Sequence, residues 1–447
     1  MSDTQDFIDT LTGLANRIGL EKKLNELEST SGDQKIGVLL LAMSRFSAIT
    51  DSVGTGLGDK VIKMTAKRLR EIFTNAEVIA RTHGDHFCLL FLGDFDLPEQ
   101  ISLVNDFTQR PLAIRGEIIV LSVRIGSALA ETGSESPGVL LNKAEIALHR
   151  AKKDQVNACF YNETYKMEAR ASHKLENDLR VSLISNHAEL HRGISNSEFR
   201  LLYQPIVDAA AHKVIAFEAL IRWQHPTRGF VSPVEFIPMA EAIQVLDVLG
   251  SWVFKKACED AASFPKNSDG TSIGVSINVS ATQFIHPDIL LTTAQDAISS
   301  SGIQPELVKV EITESAALGS KMIETVVKLK ELGFKLSLDD FGTGYSSLTQ
   351  LNDLPLDFIK LDRSFVQHIG GEDKVESERS IRMTNSILSL AHSMKLTPIV
   401  EGVENEIQLK FVCDAGAKLI QGFHFSKPLP VEDAVQFAKS FEKNAKE

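Results

Sequence analysis

From about residue 196 to the C-terminus, strand-like apolar segments alternate with helix-like segments. The strand-like segments read LLYQPIV, AFEALIRW, IGVSINVS, LVKVEITE, FKLSLDD, DFIKLD, TPIVEG and LIQGFHFS. Eight such segments in about 250 residues, with helical patterns such as KMIETVVKLKELG between most of them, predict a (β/α)8 barrel. The first two strands lack a full helix between them, so we expect their pairing to depart from an all-parallel barrel.

Several of these strands end in oxygen-bearing side chains. In a (β/α)8 barrel the carboxyl ends of the strands form one face, and catalytic groups collect there. Glu218 or Asn278, taken alone, is most simply a buried residue with a hydrogen-bonding partner, such as Arg222 for Glu218.

A group of carboxylates on later strands favours a metal site over that simpler interpretation. Glu311, Glu314 and the pair Asp339-Asp340 would be costly to bury together unless cations neutralised them. Only oxygen ligands are offered, which favours Mg²⁺ or Mn²⁺ over zinc. Asp339 and Asp340 could serve two ions, an arrangement suited to phosphoester cleavage.

Two residues on later strands and one loop complete this predicted site. Lys360 and Glu401 would orient and deprotonate the attacking water. The loop FGTGYSS (341–347) is either a surface turn or a mobile lid over the substrate, and its position beside two aspartates favours the lid.

Residues 196–440 resemble the EAL-domain family of cyclic di-GMP phosphodiesterases, whose name motif stands here as Glu218-Ala219-Leu220. The DDFGTG loop and the KLD segment that ends in Asp362 carry the same resemblance. It implies an EAL barrel over 196–443, hydrolysis of cyclic di-GMP to linear pGpG, two Mg²⁺ or Mn²⁺ ions per site, and a homodimer.

The resemblance also implies a role for each matching residue. The metal ligands would be Glu218, Asn278, Glu311, Asp339, Asp340 and Glu401. Glu401 would also act as the general base, Lys360 would lie near the attacking water, and Glu314 would hold the DDFGTG loop. The substrate would be contacted by Gln204, Leu220, Arg222, Asp362 and Gln421.

The pattern of strand-like and helix-like segments in residues 1–160 predicts a separate α/β unit with an antiparallel or mixed sheet. His83-Gly84-Asp85 is predicted to form a hairpin tip in it. The segment DTLTGLANR (9–17) resembles the opening of GGDEF domains, α+β domains that make cyclic di-GMP from GTP. Where that family carries metal-binding carboxylates, this chain has Ala42, Ser44 and His86, too few anionic oxygens for Mg²⁺.

The resemblance therefore implies a degenerate GGDEF domain that regulates or dimerises, not a cyclase. Asp59 matches one of the two guanine-contacting positions, whereas the other holds Thr50. GTP binding by this domain is thus a hypothesis that depends mainly on Asp59.

Between the two units, residues 161–195 are predicted to form a polar helical linker. Leu175, Leu179 and Leu183 follow i, i+4 spacing, which fits a helix that lies on one domain slightly better than a coupling element or a dimer seam.

The bulk composition excludes some classes of function. A net charge of -12 argues against nucleic-acid binding through the phosphate backbone, although bound cations would still permit an anionic substrate. The four cysteines are scattered, which favours reduced thiols. The polar N-terminus and the lack of a membrane-length apolar run predict a cytoplasmic protein without a membrane span.

Two other functions stay open for the second half. One is a non-catalytic receptor for cyclic di-GMP, although such receptors usually lose residues that this chain keeps. The other is a phosphodiesterase for different nucleotides, because the sequence does not determine the size of the pocket.

Overall fold

The computed structural model describes residues 5–28, 34–44, 46, 55–114, 117–132, 134–184, 198–313, 320–342 and 354–444. The chain divides into two compact units, Met1–Lys174 and Leu175–Glu447. This division lies within the segment predicted as the linker, 161–195. Glu314 and most of the predicted lid, 343–347, lie outside the described residues, as does Thr50.

The first unit is built around a mixed sheet. Its strands are β1 (Lys35–Met43), β2 (Val78–His83), β3 (His86–Leu92), β4 (Leu112–Ile114), β5 (Glu117–Ile119), β6 (Val123–Glu131) and β7 (Ala158–Phe160). Its helices are α1 (Arg17–Glu28), α2 (Thr55–Ile72), α3 (Leu97–Thr108) and α4 (Pro137–Lys153), and α5 (Glu163–Ile184) begins in it.

Five of these strands form one sheet in the order β2-β3-β1-β6-β7, and β4 pairs with β5. The pairs are antiparallel except β6–β7, which is parallel. The prediction of an antiparallel or mixed sheet is therefore confirmed. Gly84 turns the hairpin between β2 and β3 with a φ of 50°, a left-handed conformation that glycine adopts without strain.

The second unit alternates strands and helices. Its strands are β8 (Phe199–Asp208), β9 (Lys213–His225), β10 (Gly229–Val231), β11 (Gly274–Val279), β12 (Val308–Thr313), β13 (Lys335–Phe341), β14 (Phe358–Leu361), β15 (Thr397–Val400) and β16 (Leu419–Gln421). Its helices are α6 (Pro233–Ala242), α7 (Leu246–Ala261), α8 (Pro287–Ser301), α9 (Ser320–Glu331), α10 (Lys374–Ser393), α11 (Glu406–Asp414) and α12 (Val431–Asn444).

The strands of the second unit close into a barrel. The order β9-β11-β12-β13-β14-β15-β16-β8 returns to β9, and β10 extends β9 as a short hairpin arm. All neighbours from β9 and β11 through to β16 are parallel, whereas β8 is antiparallel to both β9 and β16. The predicted (β/α)8 barrel with an irregular first strand pair is confirmed.

The end of α5 packs within the second unit. Leu175, Leu179 and Leu183 are buried in one apolar cluster with Phe199 and Trp223. This arrangement matches the simpler of the two interpretations of the leucine spacing. Within the described ranges, no helix combines the length and the apolar character that crossing a membrane requires.

Candidate active site

The barrel strands bring most of the predicted site residues to one end of the barrel. Alternation along a strand directs every second side chain inward, so residues near the carboxyl ends of neighbouring strands meet. The residues that meet in this way are Gln204 on β8, Glu218 on β9, Asn278 on β11, Glu311 on β12, Asp339 on β13, Lys360 on β14, Glu401 just after β15 and Gln421 on β16.

Lys360 lies at the centre of this group. Its side chain is 1% exposed, and its Nζ contacts four carboxylates. The distances are 2.6 Å to Glu401 Oε1, 2.8 Å to Glu311 Oε2, 3.2 Å to Asp339 Oδ1 and 3.3 Å to Glu218 Oε2. Lys360 is therefore the cation that offsets the negative charge of the cluster.

The pKa values of these groups reflect both burial and mutual repulsion. Burial alone would lower the pKa of Lys360, but the surrounding carboxylates raise it well above its ordinary value. Burial raises the pKa of Glu401 to about 8, and burial likewise raises the pKa of Glu311 well above its ordinary value despite the attraction of Lys360. The cluster thus holds more negative charge than one ammonium group can balance.

Glu218 differs because its environment stabilises the ionised form. Burial alone would raise its pKa, but Lys360 together with hydrogen bonds from Gln421 and Asn278 lowers it. Asn278 Nδ2 donates to Glu218 Oε1 at 2.7 Å, and Gln421 Nε2 donates to Glu218 Oε2 at 2.7 Å. Arg222, which the sequence offered as a partner, instead donates to the carbonyl oxygen of Ile221 at 2.9 Å.

Asp339 and Asp340 are adjacent in sequence, yet both influence the same site. Regular alternation would direct one of them away from the barrel interior. The register of β13 against β14 shifts between Leu338 and Phe341, and Asp340 has a φ of 53°. Burial and the neighbouring Asp339 raise the pKa of Asp340. The local irregularity thus keeps the second carboxylate near the first.

The chemistry of this cluster fits hard divalent cations. Its donors are carboxylate and amide oxygens, which Mg²⁺ and Mn²⁺ prefer. Glu311 Oε1 and Gln421 Oε1 are buried and accept no hydrogen bond from the described residues. Asp339 Oδ1 and Glu401 Oε1 are buried as well, and both contact Lys360 Nζ. Among the described residues, no group of three or more His, Cys, Asp or Glu side chains is arranged so that it could hold a metal ion. The carboxylates surround the Lys360 ammonium group instead.

A cavity of about 550 Å³ adjoins the cluster. Leu220, Arg222 and Asn278 line it, and so does Glu241, whose carboxylate accepts a hydrogen bond from Ser280 Oγ. The volume lies in the range of small-molecule sites. Leu220 and Arg222, both predicted to contact a substrate, therefore border a space large enough for one.

Of the other predicted substrate contacts, Gln204 and Gln421 bind each other, since Gln421 Nε2 donates to Gln204 Oε1 at 3.1 Å. Asp362 follows Lys360 by two residues and caps a short 3-10 helix, Arg363–Phe365, by accepting from the Ser364 backbone amide. Its carboxylate is part of the electrostatic environment of Asp340.

Sequence reasoning missed three polar residues inside the barrel: Ser276, Lys309 and Ser337. Each lies two residues before a predicted metal ligand, on the same strand. Period-2 alternation places such residues on the same face as that ligand, so the signal was present in the sequence. Burial lowers the pKa of Lys309 to about 8.

The hairpin tip of the first unit carries a different set of groups. His86 Nδ1 lies 3.1 Å from Asp85 Oδ1, and His86 Nε2 lies 3.1 Å from Lys152 Nζ. The ring of His83 stacks on that of His86 at 4.2 Å. Ala42 is the register partner of His86 and has no side-chain ligand to offer, and Asp59 is exposed on α2.

Comparisons with known proteins divide the chain in the same way. The family model described as "EAL domain" matches residues 187–428, and the one described as "Diguanylate cyclase, GGDEF domain" matches residues 6–158. The chain is 33% identical over 442 residues to the cyclic di-GMP phosphodiesterase NbdA of Pseudomonas aeruginosa, covering 97% of this chain and 54% of NbdA.

The chain is also 30% identical to the bifunctional diguanylate cyclase/cyclic di-GMP phosphodiesterase MucR of the same organism, covering 95% of this chain and 60% of MucR. The chain spans about half the length of several curated relatives that it matches.

Two solved structures extend the comparison. The phosphodiesterase of MucR in complex with c-di-GMP is 31% identical, with a TM-score of 0.51, and covers 58% of this chain and 99% of that chain. The S helix-GGDEF-EAL structure of LapD from Vibrio cholerae has a TM-score of 0.55 over 94% of this chain and 96% of that chain, and at 19% identity it shows the fold alone.

Proposed function

The chain belongs to the EAL-domain family, with a GGDEF domain preceding the EAL domain, and on that basis we propose that it hydrolyses cyclic di-GMP to linear pGpG. The observation that carries the proposal is the convergence of Glu218, Glu311, Asp339 and Glu401 on Lys360 beside a cavity of about 550 Å³. Relatives named or solved as cyclic di-GMP phosphodiesterases support this choice of substrate.

Two divalent cations, Mg²⁺ or Mn²⁺, are proposed to bind the cluster. The residues that would hold them are Glu218, Asn278, Glu311, Asp339, Asp340 and Glu401. When bound, such cations stabilise the charge that develops on the attacking and leaving oxygens of a phosphodiester. The buried Glu311 Oε1, which accepts no hydrogen bond from the described residues, supports this assignment. So does the crowding of Glu218, Asp339 and Glu401 around one ammonium group.

Lys360 and Glu401 are proposed to handle the attacking water. Glu401 Oε1 would accept its proton, because a carboxylate with a pKa raised toward neutrality is a suitable base. Lys360 Nζ, 2.6 Å from that oxygen, would orient the water. Glu314, outside the described residues, keeps its predicted role of holding the DDFGTG loop.

The substrate is proposed to lie across the end of the barrel. Leu220 and Arg222 would contact it from the cavity, and Gln204, Gln421 and Asp362 would contact it from the rim. The paired amides of Gln204 and Gln421 support this placement, since they fix donors beside Glu218.

The first unit is proposed to be a regulatory or dimerising module without cyclase activity. Ala42, Ser44 and His86 supply none of the carboxylates that a metal-dependent cyclase needs. We further propose a 1–160, 161–195 and 196–443 division into GGDEF domain, linker and EAL domain, and a homodimeric cytoplasmic protein. We also propose GTP binding by the first unit, a hypothesis that depends mainly on Asp59.

The proposal is tested by incubating the full chain with cyclic di-GMP and Mg²⁺ or Mn²⁺ while pGpG is followed by chromatography. We expect pGpG that forms only with the cation and is abolished by EDTA. Tight binding without turnover would replace hydrolysis with a receptor function. Incubation with GTP in parallel should yield no cyclic di-GMP; formation of the product would refute the inactive first unit.

A further inference from the structure

The interior of the barrel contains a second polar layer below the carboxylate cluster. Lys360 contacts Glu311 and Asp339, and Asn278 contacts Glu218, so these residues all point inward. Their strand neighbours two positions earlier, Lys309, Ser337 and Ser276, share that inward face. The layer therefore lies deeper in the barrel than the candidate active site.

Every polar head in this deeper layer is buried without a hydrogen-bonding partner among the described residues. Ser276 and Ser337 are 0% exposed and Lys309 is 5% exposed. Lys309 Nζ, Ser276 Oγ and Ser337 Oγ make no hydrogen bond with any described residue. Three such groups in one layer are unusual, because buried polar groups in proteins nearly always find a partner.

The three groups are neighbours on adjoining strands. Ser276 on β11 is the register partner of Lys309 on β12, and Ser337 on β13 is the register partner of Glu311, the next inward residue of β12. The Phe358 ring lies 4.9 Å from Lys309 Nζ and packs against Ile206, Ala216, Ile399 and Leu419. Phe358, Ala216, Ile399 and Leu419 also lie two residues before a cluster residue, so they form the apolar side of the same layer.

We propose that ordered water occupies this layer and binds Lys309 Nζ, Ser276 Oγ and Ser337 Oγ. Leaving an amine and two hydroxyls dry in the core would be strongly unfavourable, and polar interior sites typically hold water that makes several hydrogen bonds. Water is favoured over an anion because the carboxylates of Glu311 and Asp339 lie on the active-site side of the layer, where their negative charge would repel an anion. This site does not depend on the proposed catalytic function.

A crystal structure of the unmodified full chain at high resolution tests the proposal directly. We expect density for water within about 2.7–3.2 Å of Lys309 Nζ. An interior without density would overturn the proposal. Crystals soaked in bromide provide the second arm: a strong anomalous peak at Lys309 would show an anion site and overturn water as the occupant, and its absence supports water.

Thermal unfolding of the full chain in EDTA provides an independent test. Ser276→Ala should lower Tm by about 2–4 °C, because the water loses one of its fixed partners. In the Lys309→Met background the same substitution should have no effect, since the group that most requires hydration is gone.

Ser386→Ala is the matched control, because the Ser386 hydroxyl is exposed and donates only to the Arg382 carbonyl of its own helix. It should leave Tm unchanged. A Tm that rises or stays constant in Ser276→Ala would mean that the hydroxyl is dry in the native protein, and the proposal would be wrong.

Discussion

Replacing Lys360 with methionine should destabilise the metal-free protein more than any surface substitution. The change removes the positive charge that contacts Glu218, Glu311, Asp339 and Glu401, while methionine keeps a similar side-chain volume. The carboxylates would then remain buried without a counter-charge. Divalent cations should reverse the effect, because they would neutralise the same groups.

The structure gives the size of the effect. Removing one partner from a buried ion pair typically costs about 3–5 kcal/mol, and the Lys360 side chain is only 1% exposed. For a unit of this size each 1 kcal/mol corresponds to about 2–4 °C in Tm, so we expect a loss of about 6–20 °C. Proton uptake by Glu401, whose pKa burial raises to about 8, would relieve part of this loss at neutral pH.

Calorimetric unfolding in EDTA at about pH 7 and about pH 9 measures the loss, which should be larger at pH 9 because fewer carboxylates of the cluster are protonated there. Addition of Mn²⁺ should raise the Tm of Lys360→Met more than that of the unaltered protein. The control is Lys255→Met, which breaks an exposed pair with Asp296 that should contribute only about 0–1 kcal/mol. If Lys360→Met unfolds at the same temperature as this control, the electrostatic account of the cluster is wrong.

Four further predictions follow from the same geometry. Glu218→Ala and Glu401→Ala should each lower the rate of pGpG formation at least about 10²-fold, and normal turnover in either variant would contradict its assigned role. Asp340→Asn should lower the rate but keep Tm, whereas Asp340→Ala should also lower Tm by calorimetry, because asparagine tolerates a φ of 53° and alanine does not. The stability of the metal-free protein should fall as pH rises from about 4.5 to about 8, since the raised pKa of Glu401 makes the folded state bind its proton more tightly; stability in urea that rises over this range would exclude that assignment. Leu179→Ala should cost about 2–5 kcal/mol in urea unfolding, because Leu179 is fully buried, and an unchanged midpoint would show that the helix end does not pack as described.

The architecture of the barrel could be predicted because its strands are apolar and regularly spaced. The antiparallel pairing of β8 with β9 also followed from the short connection between them. Residues 236–264 carry one helix-like pattern in the sequence, yet they lie in two helices, α6 and α7, which are separated by Gln244 with its positive φ. No glycine marks this break, so the hydrophobic pattern alone did not show it. The short strand β10 was missed for a similar reason, since three residues carry too little periodicity.

For the site, the sequence predicted which residue types meet but not how their charges are balanced. Lys360 was predicted to lie near the attacking water, and its contacts with four carboxylates depend on side-chain reach across the barrel, which no spacing in the sequence encodes. The positive φ of Asp340 was likewise invisible, because a β-bulge depends on the register of the neighbouring strand. The polar layer around Lys309 was recoverable from alternation alone.

Closure of the barrel between its first and last strands has a consequence for the order of folding. Ile206 on β8 pairs with Gln421 on β16, more than 200 residues later in the sequence. Contacts over such long separations are the slowest to form, because a large loop must close before they gain any stabilisation. Since Gln421 also donates to Glu218, a chain still emerging during synthesis has its carboxylates but not the strand that orients one of them. The proposed hydrolytic activity should therefore appear abruptly, with the final strand, and not build up gradually as the barrel grows.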